Sequence, residues 1–157
     1  MSRKKKIGNR IAVKGFSRVQ ILDKKTRKII GDSGWGENQI TNYGLNSCIV
    51  AAPIGAASVQ AAGLMLGSGS NPAASATALP LSNTDYYSAF AQSSVIDSLT
   101  ARMTQSFDGT LGAATLANIG VFAASSGSLI AGKTFGSSAL TTDQDVNCTY
   151  ELRYSTS

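Results

Sequence analysis

Along DVNCTYELRYS (145–155) apolar and polar side chains alternate: Val146, Cys148, Tyr150, Leu152 and Tyr154 against Asn147, Thr149, Glu151, Arg153 and Ser155. A period of two marks a strand with one face buried and one face wet. SLTARMTQSFD (98–108) repeats the pattern, with Leu99, Ala101, Met103 and Phe107 on its apolar side. IAVKGFSRVQIL (11–22) is rich in β-branched residues and partly alternates; the charged turn DKKTRK (23–28) and the short run KII (28–30) predict a hairpin over 11–31. AGLMLGSG (62–69), with Leu64, Met65 and Leu66 together, LANIGVFAA (116–124) and SLIAGKTF (128–135) are nearly continuous apolar runs, expected of buried strands. Between them, GDSGWGENQ (31–39) is a glycine-rich bend, SNPAASATALPLSNTD (70–85) a long polar loop ordered by its neighbours, and SSG (125–127) a turn. NYGLNSCIVAA (42–52) predicts the one short helix, with Asn42 as N-cap and Pro53 past its end. The pattern predicts a mainly β protein, an antiparallel sandwich or barrel, read as a jelly-roll-like β-sandwich with one short helix. Residues 11–157 are read as a single domain, 11–41 its N-terminal hairpin region and 42–157 its body.

Charge adds a basic N-terminal arm to this picture. Residues 1–30 hold 11 Lys/Arg and one acid, Asp23, whereas residues 31–157 hold three cations and eight acids. Residues 1–10, with Arg3, Lys4, Lys5, Lys6 and Arg10, form the arm, and such polarity suits a nucleic acid, an acidic partner surface or head-to-tail contacts between copies. The charged fraction of the whole chain is 15%, low for a soluble domain, and small residues make up the difference. Such surfaces suit flat contacts between subunits. No charge occurs from Asn38 to Thr84, but Pro53, Gly55, Ser58 and Gln60 interrupt its apolar stretch 48–66, which is not read as a membrane span.

Candidate chemistry is sparse. The chain has no histidine, which removes Ser-His-Asp and Cys-His catalysis and His-containing metal sites. Cys48 and Cys148 are too few for a structural zinc site; they read as reduced thiols, with one bridge between them the open alternative. GSLIAGKT (127–134) matches the phosphate-binding pattern G-x-x-x-x-G-K-[ST]. A working phosphate loop needs a loop between its glycines and a helix after them. Ser-Leu-Ile-Ala belongs in a strand and FGSSALTTDQD lacks helical periodicity, so the match is read as half of a hairpin, with Lys133 facing solvent. Asp143 and Asp145 are read as turn residues rather than a carboxylate pair. No catalytic, metal or cofactor-binding residue and no small-molecule substrate is expected.

The order of these elements resembles that of a loose group of small tail, fibre and other virion proteins of tailed bacteriophages, over about residues 18–155. VQILDKKTRKIIGDSGWGENQITNYGLN looks like their opening hairpin, with Arg27 where that turn usually has Gly. LMLGSGSNPAASATALP is similar to their glycine-, proline- and threonine-containing loop segment, and LTARMTQSF to a central strand. LANIGVFAASSGSLIAGKTF resembles their paired strands, with Asn118 in place of the usual acid and Lys133 in place of the usual Arg. LTTDQDVNCTYELRYS resembles their closing strand.

The resemblance implies a non-enzymatic β-sandwich component of the virion, made in the host cytoplasm. Its expected partners are copies of itself and other virion structural proteins, with no membrane. The arm (Arg3, Lys4, Lys5, Lys6, Arg10) is expected to reach an acidic protein surface or packaged nucleic acid. Trp35, between Gly34 and Gly36, either anchors an interface or caps the core; Tyr86 and Tyr87 are either contact residues or part of a core strand. The alternative reading is a nucleic-acid-binding module acting through the arm, with Phe16 and Trp35 for base stacking.

Overall fold

The computed structural model describes residues 11–50, 60–82, 87–108, 115–124 and 127–156. Ten strands dominate: β1 (Ile11–Asp23), β2 (Ile29–Asp32), β3 (Gly36–Ile40), β4 (Ala61–Gly67), β5 (Tyr87–Phe90), β6 (Gln92–Asp97), β7 (Thr100–Phe107), β8 (Thr115–Ala123), β9 (Leu129–Ala139) and β10 (Gln144–Thr156). Every pairing is antiparallel. The order across the sheet is β5-β4-β8-β9-β3-β1-β10-β7-β6, with β2 beside the end of β1. β1 and β10 are the long central pair, in register from Ile11 opposite Thr156 to Asp23 opposite Gln144. β3 joins the two halves: Gly36 to Asn38 pair with β1, and Gln39 and Ile40 pair with β9. The sheet curls until β4 and β5 approach β7, nearly closing like a barrel.

One core fills the interior and draws on both halves of the sheet. Val19, Leu64, Leu66, Met103, Phe107, Ile119, Val121, Val146, Cys148 and Tyr150 meet there, all buried. Each large aliphatic side chain so buried contributes about 1.5–3 kcal/mol. β4, β8 and β9 are covered on their other face as well, where Met65, Leu79 and Leu129 form a second cluster under the 68–82 loop. Two buried faces explain why these strands read as continuous apolar runs rather than alternating ones.

The loop is clamped by the backbone and by one side chain. Asn118, fully buried on β8, donates from Nδ2 to the carbonyls of Ser70 (3.1 Å) and Pro80 (2.7 Å). Leu129 N–H donates to Thr77 O (2.9 Å) and Asn42 N–H to Ala74 O (2.7 Å).

Two expectations on local structure need correction. The predicted helix is an α-helical turn, α1 (Asn42–Gly44), continuing as a π-helical stretch Leu45–Val50, and its N-cap is Thr41 rather than Asn42. Thr41 wins because its buried Oγ1 accepts from Gly44 N–H (3.0 Å) while donating to Leu129 O (2.6 Å). Pro53 lies outside the described residues. On β7 the apolar face holds only at Met103 and Phe107; Ala101 and Leu99 are exposed, because they lie toward the strand's open end, away from the core. The 11–31 hairpin, the two buried hairpin strands and the alternation of β10 form where the sequence predicts them.

Candidate interaction surface

The outer face of the β1–β10–β7 region is assembled by register. Cross-strand partners share a face, so Phe16, Glu151 and Arg102 form one row and Lys14, Arg153 and Thr100 the next. Glu151 is 3% exposed although it points away from the core, because two guanidiniums close over it. Arg102 donates to Oε1 (Nε 2.8 Å) and Arg153 to Oε2 (Nε 2.7 Å). Burial pushes the Glu151 carboxyl up; the hydrogen bonds from Arg102 and Arg153 outweigh it and hold the group below its usual value. The Arg153 guanidinium also lies 4.2 Å from the Phe16 ring centroid and 5.2 Å from that of Trp35.

Trp35 itself is 40% exposed, in the bend between β2 and β3. The two aromatics singled out for stacking are therefore brought together around one arginine. Sequence reading passed over Glu151, Arg102 and Arg153 as solvent-facing. The available signal was their opposite charges on the polar sides of the two best-alternating strands.

Four further acids are paired in the same manner. Lys14 meets Glu37 at 2.9 Å, Arg18 meets Asp32 at 2.5 Å, Arg27 meets Asp145 at 2.5 Å, and Lys24 bridges to Asp108. The Arg18 guanidinium, with help from Gly34 N–H and Gln20, holds the Asp32 carboxyl far below its usual range. The basic first strand and turn thus neutralise the acids of the body. After residue 10 the chain carries nine cations and nine acids, so the whole net charge of +5 belongs to residues 1–10. Asp145 serves the basic turn, while Thr142 and Asp143 form the turn before β10.

Arg3, Lys4, Lys5, Lys6, Arg10 and Tyr86 lie outside the described residues; Tyr87 opens β5 opposite Leu66. GSLIAGKT forms a strand end: Leu129 to Thr134 belong to β9, paired with β8, so the glycines enclose no phosphate cradle. Cys148 is a free thiol whose burial pushes it well above its usual range, away from reactivity. Among the described residues no group of three Cys, Asp or Glu side chains is placed to hold a metal ion, and no helix is long and apolar enough to cross a membrane.

Among the described residues the two most exposed large apolar side chains lie on the outermost strands of the sheet, while Val50, Ile29 and Ile30 are exposed elsewhere. Phe90 on β5 is 74% exposed and Val95 on β6 is 81% exposed, with Ile96 and Leu99 close to half exposed. Phe90 rests edge-on against Phe122, their centroids 6.0 Å apart.

No family model, curated protein or solved structure matches this chain. The bacteriophage reading therefore rests on the sequence resemblance alone.

Proposed function

We propose that this protein is a non-enzymatic structural component of a bacteriophage virion, in the tail, neck, fibre base or capsid decoration. It assembles with copies of itself and with other virion proteins through strand edges, loops and the basic arm. The observation that carries this reading is the exposure of Phe90, Val95, Ile96 and Leu99 around the two edges where the sheet ends. Open edges bearing large apolar side chains are ordinarily covered in a working assembly. The folded part carries no net charge to keep such surfaces apart. We read the curled sheet as a jelly-roll-like sandwich with β3 as its corner strand. The arm, with five cations in ten residues, docks on an acidic surface of a neighbouring virion protein or on packaged nucleic acid.

Light scattering on size-exclusion fractions of nuclease-treated protein tests this. A discrete oligomer is the expected result. A strict monomer that shifts nucleic acid at low salt, and loses that shift when residues 2–10 are deleted, would replace this reading with the alternative: a sequence-independent nucleic-acid-binding module. The concentration of all net positive charge in the arm favours that second reading, and its binding would weaken steeply with salt.

A further inference from the structure

β6 lacks most of the devices that protect an edge strand. All six residues of QSSVID are exposed. β7 pairs with one edge, and among the described residues the sheet ends at the other. Natural edges are blunted by Lys, by Pro, by a covering element or by a bulge. β6 has no Lys and no Pro, a single charge at Asp97, and one bulge that leaves Ile96 without a register partner in β7. Phe90 before it and Leu99 after it extend the exposed apolar surface at both ends.

We propose that β6 is the self-association edge of this protein: a second copy adds its own β6 antiparallel across a twofold axis, joining the two sheets. This rests on the assembly reading above and names its partner. A twofold axis normal to an antiparallel pair makes one residue face its own copy, on the same side of the sheet. The choice of centre follows from the chemistry of QSSVID. Centring on Val95 sets the most exposed aliphatic side chain against its copy, Ser94 against Ile96, and Ser93 against Asp97. The only carboxylate then faces a hydroxyl that donates to it. The two Asp97 residues lie four positions apart along the ladder, about 13 Å, beyond the screening length of about 8 Å at physiological salt. Centring on Ile96 would set Asp97, whose Oδ1 already accepts from Leu99 N–H (2.7 Å), against Val95 and offer no donor to its second oxygen. Centring on Ser94 would set Val95 against Ser93 and forgo the apolar pair.

The test uses the full chain with Cys48→Ser, in which the buried Cys148 stays silent to mild oxidation. Val95→Cys is expected to give a disulfide-linked dimer on a non-reducing gel, whereas Ser93→Cys and Ile96→Cys are not, since each would face a different residue. Val95→Lys, at a solvent-facing position, is expected to weaken self-association by about tenfold or more with an unchanged circular dichroism spectrum. If the parent is a discrete oligomer whose mass Val95→Lys leaves unaltered, the β6 assignment is overturned while the assembly reading stands. If Ser93→Cys cross-links and Val95→Cys does not, the proposed pairing is overturned. A parent that stays monomeric at every concentration, with no cross-link from Val95→Cys, overturns both.

Discussion

Gly15 shows how one missing side chain makes room for two others. A Cβ at that position would lie 2.6 Å from the Tyr150 hydroxyl and 2.8 Å from Asn38 Oδ1, both closer than real atoms approach. Gly15→Ala is expected to destabilise the fold by about 1–3 kcal/mol, and Tyr150→Phe to recover part of that loss; chemical denaturation of the double mutant against both singles checks it. Arg27 poses the opposite case. Its φ of 56° lies in the left-handed region, the conformation that the resembling hairpins satisfy with Gly. Arg27 accepts that backbone cost and reaches Asp145. Arg27→Gly should be more stable than Arg27→Ala by about 1 kcal/mol, since both lose the ion pair and only Ala keeps the strained backbone; their denaturant midpoints decide. Asn118 likewise departs from the resembling acid, and its two donated hydrogen bonds show why an acid would fail: an ionised carboxylate would face two carbonyl oxygens. Asn118→Asp is expected to lower stability by about 2–4 kcal/mol and to speed proteolysis within residues 68–82. The sequence displays these three residues but not the atoms they meet, which come from segments far along the chain.

Whole elements were more legible than single contacts. β10 announced itself because from Asp145 to Tyr150 buried and half-buried residues alternate, so burial and sequence share a period of two there. β4, β8 and β9 were legible as buried but gave no clue to the loop that covers them, since 68–82 is polar in composition and is anchored chiefly through its backbone. α1 was displaced by one residue because Thr41 finds partners on β9, information that no local pattern carries. The exposed rows of β1, β7 and β10 were the least legible, as pairing across strands decides which charges meet. Those rows predict an acid response. The folded-state values of Asp32 and Glu151 lie below their unfolded values, near 4. The stabilisation is therefore complete above that pH and is lost as pH falls toward the folded values, when the unfolded chain takes up protons first. The urea midpoint should fall between pH 5 and pH 2. Glu151→Gln should flatten part of that slope and cost about 1–3 kcal/mol at neutral pH.

At the scale of the molecule, the charge asymmetry visible in the sequence is cancelled by folding everywhere except in the first ten residues. Deleting residues 2–10 is expected to leave the melting temperature nearly unchanged, to abolish retention on a cation exchanger at neutral pH, and to lower solubility as the net charge falls from +5 to zero. A large loss of melting temperature would show instead that the arm belongs to the fold. The strand order carries a different consequence. β1 leaves the ribosome long before its long partner, β10. Until β10 emerges, β1 and β7 each lack the neighbour that joins them, and Val19, Met103 and Phe107 await the Val146, Cys148 and Tyr150 side chains. At a synthesis rate of about 5–20 residues per second, the nascent chain spends several seconds with these strands paired on one side only. Its hazards therefore belong to its birth: crowded polysomes would bring incomplete sheets together, and a chaperone that holds the emerging chain would protect it more than any later stabilisation of the finished sheet.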